Sequence, residues 1–133
     1  METNSPEPYP DGKLPYLTVR LGYAGDDNGY YLCLKDSGAS HLFWPMELLQ
    51  DLPNLQDYII KRKPIIIQTG KGKIQTDNAI IAVVPLTFCD IEGAFHTIHT
   101  QVVGLEEINS IYIGSSLLYD MKKILGMITI LCT

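Results

Sequence analysis

The chain has 133 residues, a length that suits one compact domain. Hydrophobic residues make up 46% of it and charged residues 19%, so the sequence has enough apolar material for a folded core, which excludes disorder for most of the chain. Because 15 acidic residues outnumber 10 basic ones, the formal net charge is -5, which argues against a nucleic-acid partner. The basic cluster Lys61-Arg62-Lys63 is expected to be a solvated loop.

The sequence shows no targeting or membrane segment. Residues 1–13 are polar and rich in proline, without the apolar stretch of a signal peptide, and we predict a flexible linker there. No apolar run approaches the roughly 18 to 20 residues of a membrane span. The three cysteines, Cys33, Cys89 and Cys132, have no pairing pattern and lie in apolar runs, which predicts buried side chains in a reducing, intracellular compartment.

The first half of the chain alternates in the manner of β-strands. Apolar side chains at Leu17, Val19 and Leu21 predict a half-buried strand, and the turn-rich residues 24–29 connect it to a second strand at 30–34. Residues 36–40 suit neither helix nor strand. A short helix is expected over 45–52, with Pro45 at its first position.

The second half predicts further strands and one longer helix. Residues 64–68 and 73–76 form an expected hairpin with a glycine-rich tip, followed by strands at 79–84, 85–89 and 94–103 with a turn at 90–93. Residues 111–113 are expected to be a strand, Ser116 to Leu125 a helix ended by Gly126, and the last residues a strand. The pattern predicts an all-β domain with one C-terminal helix.

Several common catalytic or binding patterns do not fit. The segment 70–73 joins two predicted strands and lacks the spacing of a phosphate-binding loop. His96 and His99 are three apart on a predicted strand, so they face opposite sides and do not converge on one metal ion. No serine-nucleophile elbow occurs, and Cys33 lies among apolar residues that disfavour a thiolate. We therefore expect no metal and no cofactor.

The remaining candidate is Asp36-Ser37-Gly38. By itself this triplet is a common turn, but here it follows a hydrophobic strand and continues as Ala39-Ser40. A glycine-tipped hairpin, Ile67 to Ile74, comes after it. Further on, an apolar strand leads into Gly114-Ser-Ser-Leu-Leu118 and the predicted helix.

The three motifs, in this order, resemble those of the retropepsins, the aspartic proteases of retroviruses and LTR retroelements. The resemblance covers about residues 14–133. It implies a closed β-barrel of the acid-protease type with a short C-terminal helix, active as a symmetric homodimer. Many retroviral members carry an acidic residue and an arginine where this chain has Ser40 and Ser115. We expect that difference to affect substrate preference and dimer strength but not the chemistry.

The resemblance also implies roles for particular residues. Asp36 would be catalytic, Ser37 would hydrogen-bond across the dimer axis, and Gly38 would let the substrate backbone approach. Ala39 and Ser40 would line the cleft, and a flap tip would close over the substrate; its residues would be Thr69, Gly70, Lys71 and Gly72. We further expect Ile80 and Ile113 to form pocket walls, and the resemblance implies that residues 127–132 form a strand of the dimer interface.

Because each chain supplies one aspartate in such a triplet, Asp36, a carboxylate pair requires two chains, and we expect a homodimer. The expected substrate is a polypeptide, above all the polyprotein of the retroelement that encodes the domain, and the expected location is the cytoplasm or a virus-like particle. Nucleic acid and membrane are not expected partners. Two alternatives stay open at this point: a catalytically silent dimerisation or peptide-binding module of the same fold, and a host-encoded protease of this kind.

Overall fold

The computed structural model describes residues 2–3, 16–23, 25, 29–36, 39, 41–69, 72–90, 92–106 and 108–124. These residues form eight strands and three helices: β1 Glu2–Thr3, β2 Tyr16–Leu21, β3 Tyr30–Lys35, β4 Leu42–Pro45, α1 Met46–Leu49, α2 Leu55–Tyr58, β5 Ile59–Thr69, β6 Gly72–Cys89, β7 Phe95–Leu105, β8 Ile111–Ile113 and α3 Ser115–Ile124.

Six strands form a closed barrel. They pair in the order β3-β2-β6-β7-β4-β8, and β8 then pairs with β3, which closes the ring. The strand β5 lies outside the ring and pairs with β6, and β1 adds to β3. The predicted fold class, an all-β closed barrel with a short C-terminal helix, is confirmed.

Alternation along the strands produces two apolar clusters. Side chains that face the barrel interior are fully buried, among them Trp44 and Phe88, and each such side chain contributes about 1.5–3 kcal/mol by leaving water. A smaller cluster lies on the other face of the sheet, where Ala79, Val103 and Leu105 are covered in part by Ile65 and by two other side chains, Phe43 and Ile108. The second cluster joins the outside of the barrel to the β5–β6 hairpin.

The strand β6 belongs to both the barrel and the hairpin. Its residues Ile80–Cys89 pair with β7, whereas residues 72–82 pair with β5. Two separate strands had been expected at 79–84 and 85–89, but the chain continues straight through Pro85. The strand β5 begins at Ile59, so the expected loop at Lys61-Arg62-Lys63 is wrong: these residues are exposed, as predicted, but pair with Ile81, Ile80 and Ala79.

The connection between β4 and β5 is more ordered than expected. The predicted helix at 45–52 is only one turn, with Pro45 as its N-cap residue. A second turn of helix, not predicted, follows Asn54, which has a positive φ of 62°. The turns place Leu49, Leu52 and Leu55 three residues apart, and all three are buried in the main core, which anchors the base of the hairpin to the barrel.

The termini are described only in part. The helix α3 begins at Ser115, one residue earlier than predicted, and residues 125–133, with the expected helix stop and the last strand, lie outside the described residues. Within the predicted linker, Glu2–Thr3 pairs with Tyr31 and Tyr30; the domain boundary stays a prediction.

Two further expectations concern the cysteines and the membrane. Cys33 and Cys89 are free and buried, as predicted, and Cys132 lies outside the described residues. In the described part of the chain, no helix is both long and apolar enough to cross a bilayer.

Candidate active site

Asp36 lies on a loop that crosses the end of one barrel strand. It follows β3 directly and is exposed. The short strand β8 lies between β3 and β4, parallel to the first and antiparallel to the second. The chain must therefore pass over the carboxyl end of β8 to travel from Lys35 to Leu42, and Asp36 stands where that crossing begins.

Main-chain hydrogen bonds hold the loop in place. The N–H of Asp36 donates to the carbonyl of Ile113 (2.9 Å), and the N–H of Ala39 donates to the carbonyl of Asp36 (3.1 Å). The first residue of α3, Ser115, donates to the carbonyl of Ala39 from its N–H (2.9 Å) and from its Oγ (3.3 Å). Asp36 and Ala39 are thus tied to β8 and to the start of α3, respectively.

Gly114 makes this close crossing possible. A Cβ atom there would lie 2.6 Å from the carbonyl oxygens of Ala39 and His41 and 2.7 Å from the nitrogen of His41. All three atoms belong to the main chain, which cannot swing aside as a side chain can. From the sequence, Gly114 was only one residue of a motif. The structure shows why a glycine is needed there: any larger residue would push the Asp36 loop away from the barrel.

An exposed apolar row lies beside Asp36. Tyr112 on β8 is the direct cross-strand partner of Leu34 on β3 and of Phe43 on β4, so the three side chains share one face of the sheet. Leu34 is 38% exposed, and the other two are half-buried. Leu34 is two residues from Asp36, so the row begins next to the Asp36 loop.

The same row continues beneath the hairpin. Phe43 pairs with Val103, Val103 with Ile81, and Ile81 with Lys61 at the edge of the sheet. Val103 and Ile81 are only 3% and 7% exposed. The row thus connects the Asp36 loop with the base of the hairpin. Its side chains are exposed at Leu34 and buried at Val103 and Ile81.

Sequence reasoning missed this row. It had assigned pocket walls to Ile80 and Ile113, but both are fully buried in the barrel interior, so that expectation is wrong. The reason is the two-residue period of a strand: each lies one position from a row residue, Ile81 or Tyr112, and therefore faces the other way. The signal was present in β3, where Cys33 faces inward and Leu34 outward.

The structure describes only some of the predicted site residues. Ala39 is half-buried, and Ser37, Gly38 and Ser40 lie outside the described residues. At the hairpin tip, Thr69 pairs with Gly72 across residues 70 and 71, which are not described. Gly72 has a φ of 122°, a conformation that favours glycine. The roles assigned to these residues stay predictions.

Other polar residues belong to structural contacts. His96 and His99 lie on opposite faces of β7, as predicted: Nε2 of His96 donates to Asp90 (2.8 Å), while His99 contacts the hydroxyl of Tyr23 (3.2 Å). Burial raises the pKa of the Cys33 thiol. Among the described residues, no group of three or more His, Cys, Asp or Glu side chains could hold a metal ion.

Comparison with solved structures finds chains that are similar to this one. No family model matches the sequence, and no curated protein does. The chain is similar to the structure of an EIAV protease complexed with the inhibitor HBY-793, with 18% sequence identity and a TM-score of 0.49 over 92% of this chain and 98% of that chain.

Proposed function

We propose that the protein is an aspartic endopeptidase of the retropepsin kind, active as a twofold homodimer with one Asp36 from each protomer at the axis. The observation that carries the proposal is the position of Asp36: an exposed aspartate on a loop fixed by main-chain bonds, directly beside an exposed apolar row. The firm backbone sets the position of the carboxylate, and the row offers a surface for substrate side chains.

The chemistry follows from two carboxylates and one water. Two carboxylates in close contact resist double ionisation, so the pair shares one proton. The ionised group accepts a proton from the water as its oxygen attacks the scissile carbonyl, while the protonated group donates to the carbonyl oxygen. The tetrahedral intermediate then breaks its C–N bond as a proton reaches the leaving nitrogen. No covalent enzyme intermediate and no cofactor are needed.

The substrate is an extended peptide with apolar residues at the scissile bond. Leu34, Tyr112 and Phe43 form a continuous apolar surface next to Asp36. Burying a substrate side chain on such a surface contributes about 25 cal/mol per Å² of apolar area. The natural substrate is the polyprotein of a retroelement, cleaved between its folded parts.

The direct test is cleavage of a diverse peptide mixture, read by mass spectrometry at several protein concentrations between about pH 4 and pH 7. We expect wild type to cut bonds flanked by apolar residues, and the rate to rise faster than linearly with concentration while monomer is present. Asp36→Asn should lower cleavage at least about 100-fold. Asp90→Asn, which removes a carboxylate from another turn, is the matched control and should retain activity.

Equal activity of wild type and Asp36→Asn would refute the proposal. If the protein is dimeric by sedimentation and binds apolar peptides but cuts none, the silent peptide-binding module becomes the better description. A rate strictly proportional to concentration down to conditions where only monomer is present would refute the shared active site.

A further inference from the structure

His41 is a titratable side chain at the end of the Asp36 loop, and the proposed chemistry does not use it. It is the last residue before β4, and it is exposed. Its ring meets the ring of Phe43 edge-on, with the two centroids 6.2 Å apart and the planes at 89°. Because the imidazole is exposed and rests on an apolar neighbour, its nitrogens can meet a ligand.

Phe43 connects His41 to the open part of the apolar row. Phe43 is the direct cross-strand partner of Tyr112, which in turn pairs with Leu34 beside the Asp36 loop. Leu34 is exposed and the other two are half-buried, so this stretch of the row can receive a substrate side chain. A side chain that packs on the Phe43 ring then lies next to the imidazole of His41.

The main chain of His41 is held by the same close approach that supports Asp36. A Cβ atom at Gly114 would lie 2.6 Å from the carbonyl oxygen of His41 and 2.7 Å from its nitrogen. At the other end of the loop, the N–H of Asp36 donates to the carbonyl of Ile113. Asp36 and His41 therefore belong to one loop whose two ends are both fixed against β8 and the residue that follows it.

The distance along the row places His41 near a substrate residue close to the scissile bond. The strands β3 and β4 are separated by two strand spacings of about 4.8 Å, so Leu34 and Phe43 are at most about 10 Å apart. An extended peptide advances about 3.3 Å per residue. A substrate side chain on Phe43 is thus about two to four positions from the bond, and the proposed twofold dimer repeats this arrangement on the other side of the bond.

The titratable groups on the elements around His41 are acidic or uncharged on the substrate side. Asp36 lies at the other end of the loop, Glu47 on α1 and Tyr112 on β8. The β7 residues that pair with β4 and the first turn of α3 carry no charge. Lys35 lies opposite a β8 residue that faces the barrel interior, and it therefore turns to the other face. Of these groups, only His41 can become a cation on the face of the apolar row.

We propose that protonated His41 selects substrates that carry Asp or Glu two to four residues from the scissile bond. This inference rests on the proposed endopeptidase function and names a substrate preference of the same site. Imidazoles ordinarily take up a proton between about pH 8 and pH 5, whereas substrate Asp and Glu stay ionised down to about pH 4. The preference is therefore present at about pH 5.5 and lost at about pH 7.5. A purely structural contact between His41 and Phe43 predicts no dependence on substrate charge.

The experiment compares matched peptides at two pH values. Each peptide has an apolar pair at the scissile bond and carries either Glu or Gln at the second, third or fourth position from it. We expect wild type to favour the Glu peptide about three- to tenfold in kcat/KM at pH 5.5 and low salt, mostly through KM, because exposed ion pairs are individually weak. The ratio should fall to about one at pH 7.5. Any pH dependence of the Asp36 pair affects both peptides and cancels in the ratio.

Two variants of His41 and one of another histidine test the assignment. His41→Gln should remove the preference at pH 5.5, whereas His41→Lys should keep it at both pH values. His99 is also exposed and lies edge-on to an aromatic ring, that of Tyr23, but it is opposite Pro85 on β7, so His99→Gln should leave the ratio as in wild type. A preference that persists in His41→Gln, or a wild-type ratio of one at pH 5.5 while peptides are cut, would overturn the inference alone.

A binding assay separates this inference from the proposed function. Fluorescent versions of the same peptides are titrated into Asp36→Asn protein, because binding needs no catalysis. Tighter binding of the Glu peptide at pH 5.5 but not at pH 7.5, lost in Asp36→Asn/His41→Gln, supports the inference even if wild type cuts nothing, in which case the endopeptidase fails by itself. Equal binding of the Glu and Gln peptides at both pH values would show that His41 does not read substrate charge.

Discussion

Asp36 and Asp90 each follow a strand and begin a turn, yet different contacts hold the two turns. Asp90, after β6, folds its carboxylate into its own turn: Oδ1 accepts the N–H groups of Glu92 and Ala94 at 2.9 Å, and Oδ2 accepts Nε2–H of His96 at 2.8 Å. Asp36, after β3, contributes its main-chain N–H and carbonyl to its loop, and neighbouring backbone completes the support.

The two turns differ in the contacts that hold them. The hydrogen bond from His96 is the main reason that the pKa of Asp90 lies below its ordinary value, with help from the N–H groups of the turn. The Asp90 carboxylate therefore stabilises its own turn. At Asp36 the main chain of the loop is held by hydrogen bonds to neighbouring backbone and by the close approach at Gly114.

Gly114→Ala should break this arrangement with the largest effect on stability. The added Cβ would lie 2.6–2.7 Å from three main-chain atoms, so the loop must move away from β8. Overpacking against backbone costs about 3 kcal/mol. We expect urea unfolding at fixed protein concentration to show a loss of that order, together with loss of peptide cleavage.

Two other glycines provide comparisons for the stability loss expected from Gly114→Ala. At Gly104 an added Cβ would meet only the end of the Leu49 side chain, at 2.8 Å, and at Gly25 it would meet nothing within 4 Å. Gly104→Ala should therefore cost less than Gly114→Ala, and Gly25→Ala should be close to neutral. A Gly114→Ala protein as stable as Gly25→Ala would show that the loop is not set by close approach.

The sequence predicted most strands and the position of Asp36, because alternation and turn residues are local signals. It divided β6 at Pro85 and treated Lys61-Arg62-Lys63 as a loop, since neither a long strand shared by two partners nor an edge strand has a distinct local pattern. The apolar row could not be predicted, because it depends on which residues of distant strands are opposite one another. The lack of space for a side chain at Gly114 could not be predicted either, because it depends on the approach of Ala39 and His41, which are distant in the sequence.

Tyr31→Phe tests how much one side-chain hydrogen bond adds to the free energy of unfolding in the strand before the Asp36 loop. Tyr31 lies on β3, and its hydroxyl donates to Oδ2 of Asp51 at 2.8 Å while its ring contacts the edge of Trp44. Losing this bond should cost about 1 kcal/mol, less than Gly114→Ala, because Asp51 stays exposed to water. Fluorescence of Trp44, the one tryptophan of the chain, reports the unfolding.

Tyr58→Phe is the matched control for Tyr31→Phe. Tyr58 is half-buried, and its hydroxyl has no hydrogen bond to a described side chain, so its removal should leave the free energy of unfolding nearly unchanged. If both variants lose the same stability, the Tyr31–Asp51 bond is not the cause. If Tyr31→Phe loses as much as Gly114→Ala, side-chain bonding holds the Asp36 region after all, and the contrast between the two turns disappears.

The smallest effect belongs to the Asp90 turn, and it is lost in acid. Because the folded pKa of Asp90 is lowered, the turn contributes stability above the unfolded value, near 3.8, and loses it as the pH falls through the lower folded value. Wild type should therefore exceed Asp90→Asn in free energy of unfolding at pH 5, and the gap should narrow towards pH 2. Glu92→Gln, in the same turn, controls for the loss of one acidic residue. A gap that stays constant across this range would mean that Asp90 supports its turn through neutral hydrogen bonds alone, and that its charge is not what distinguishes it from Asp36.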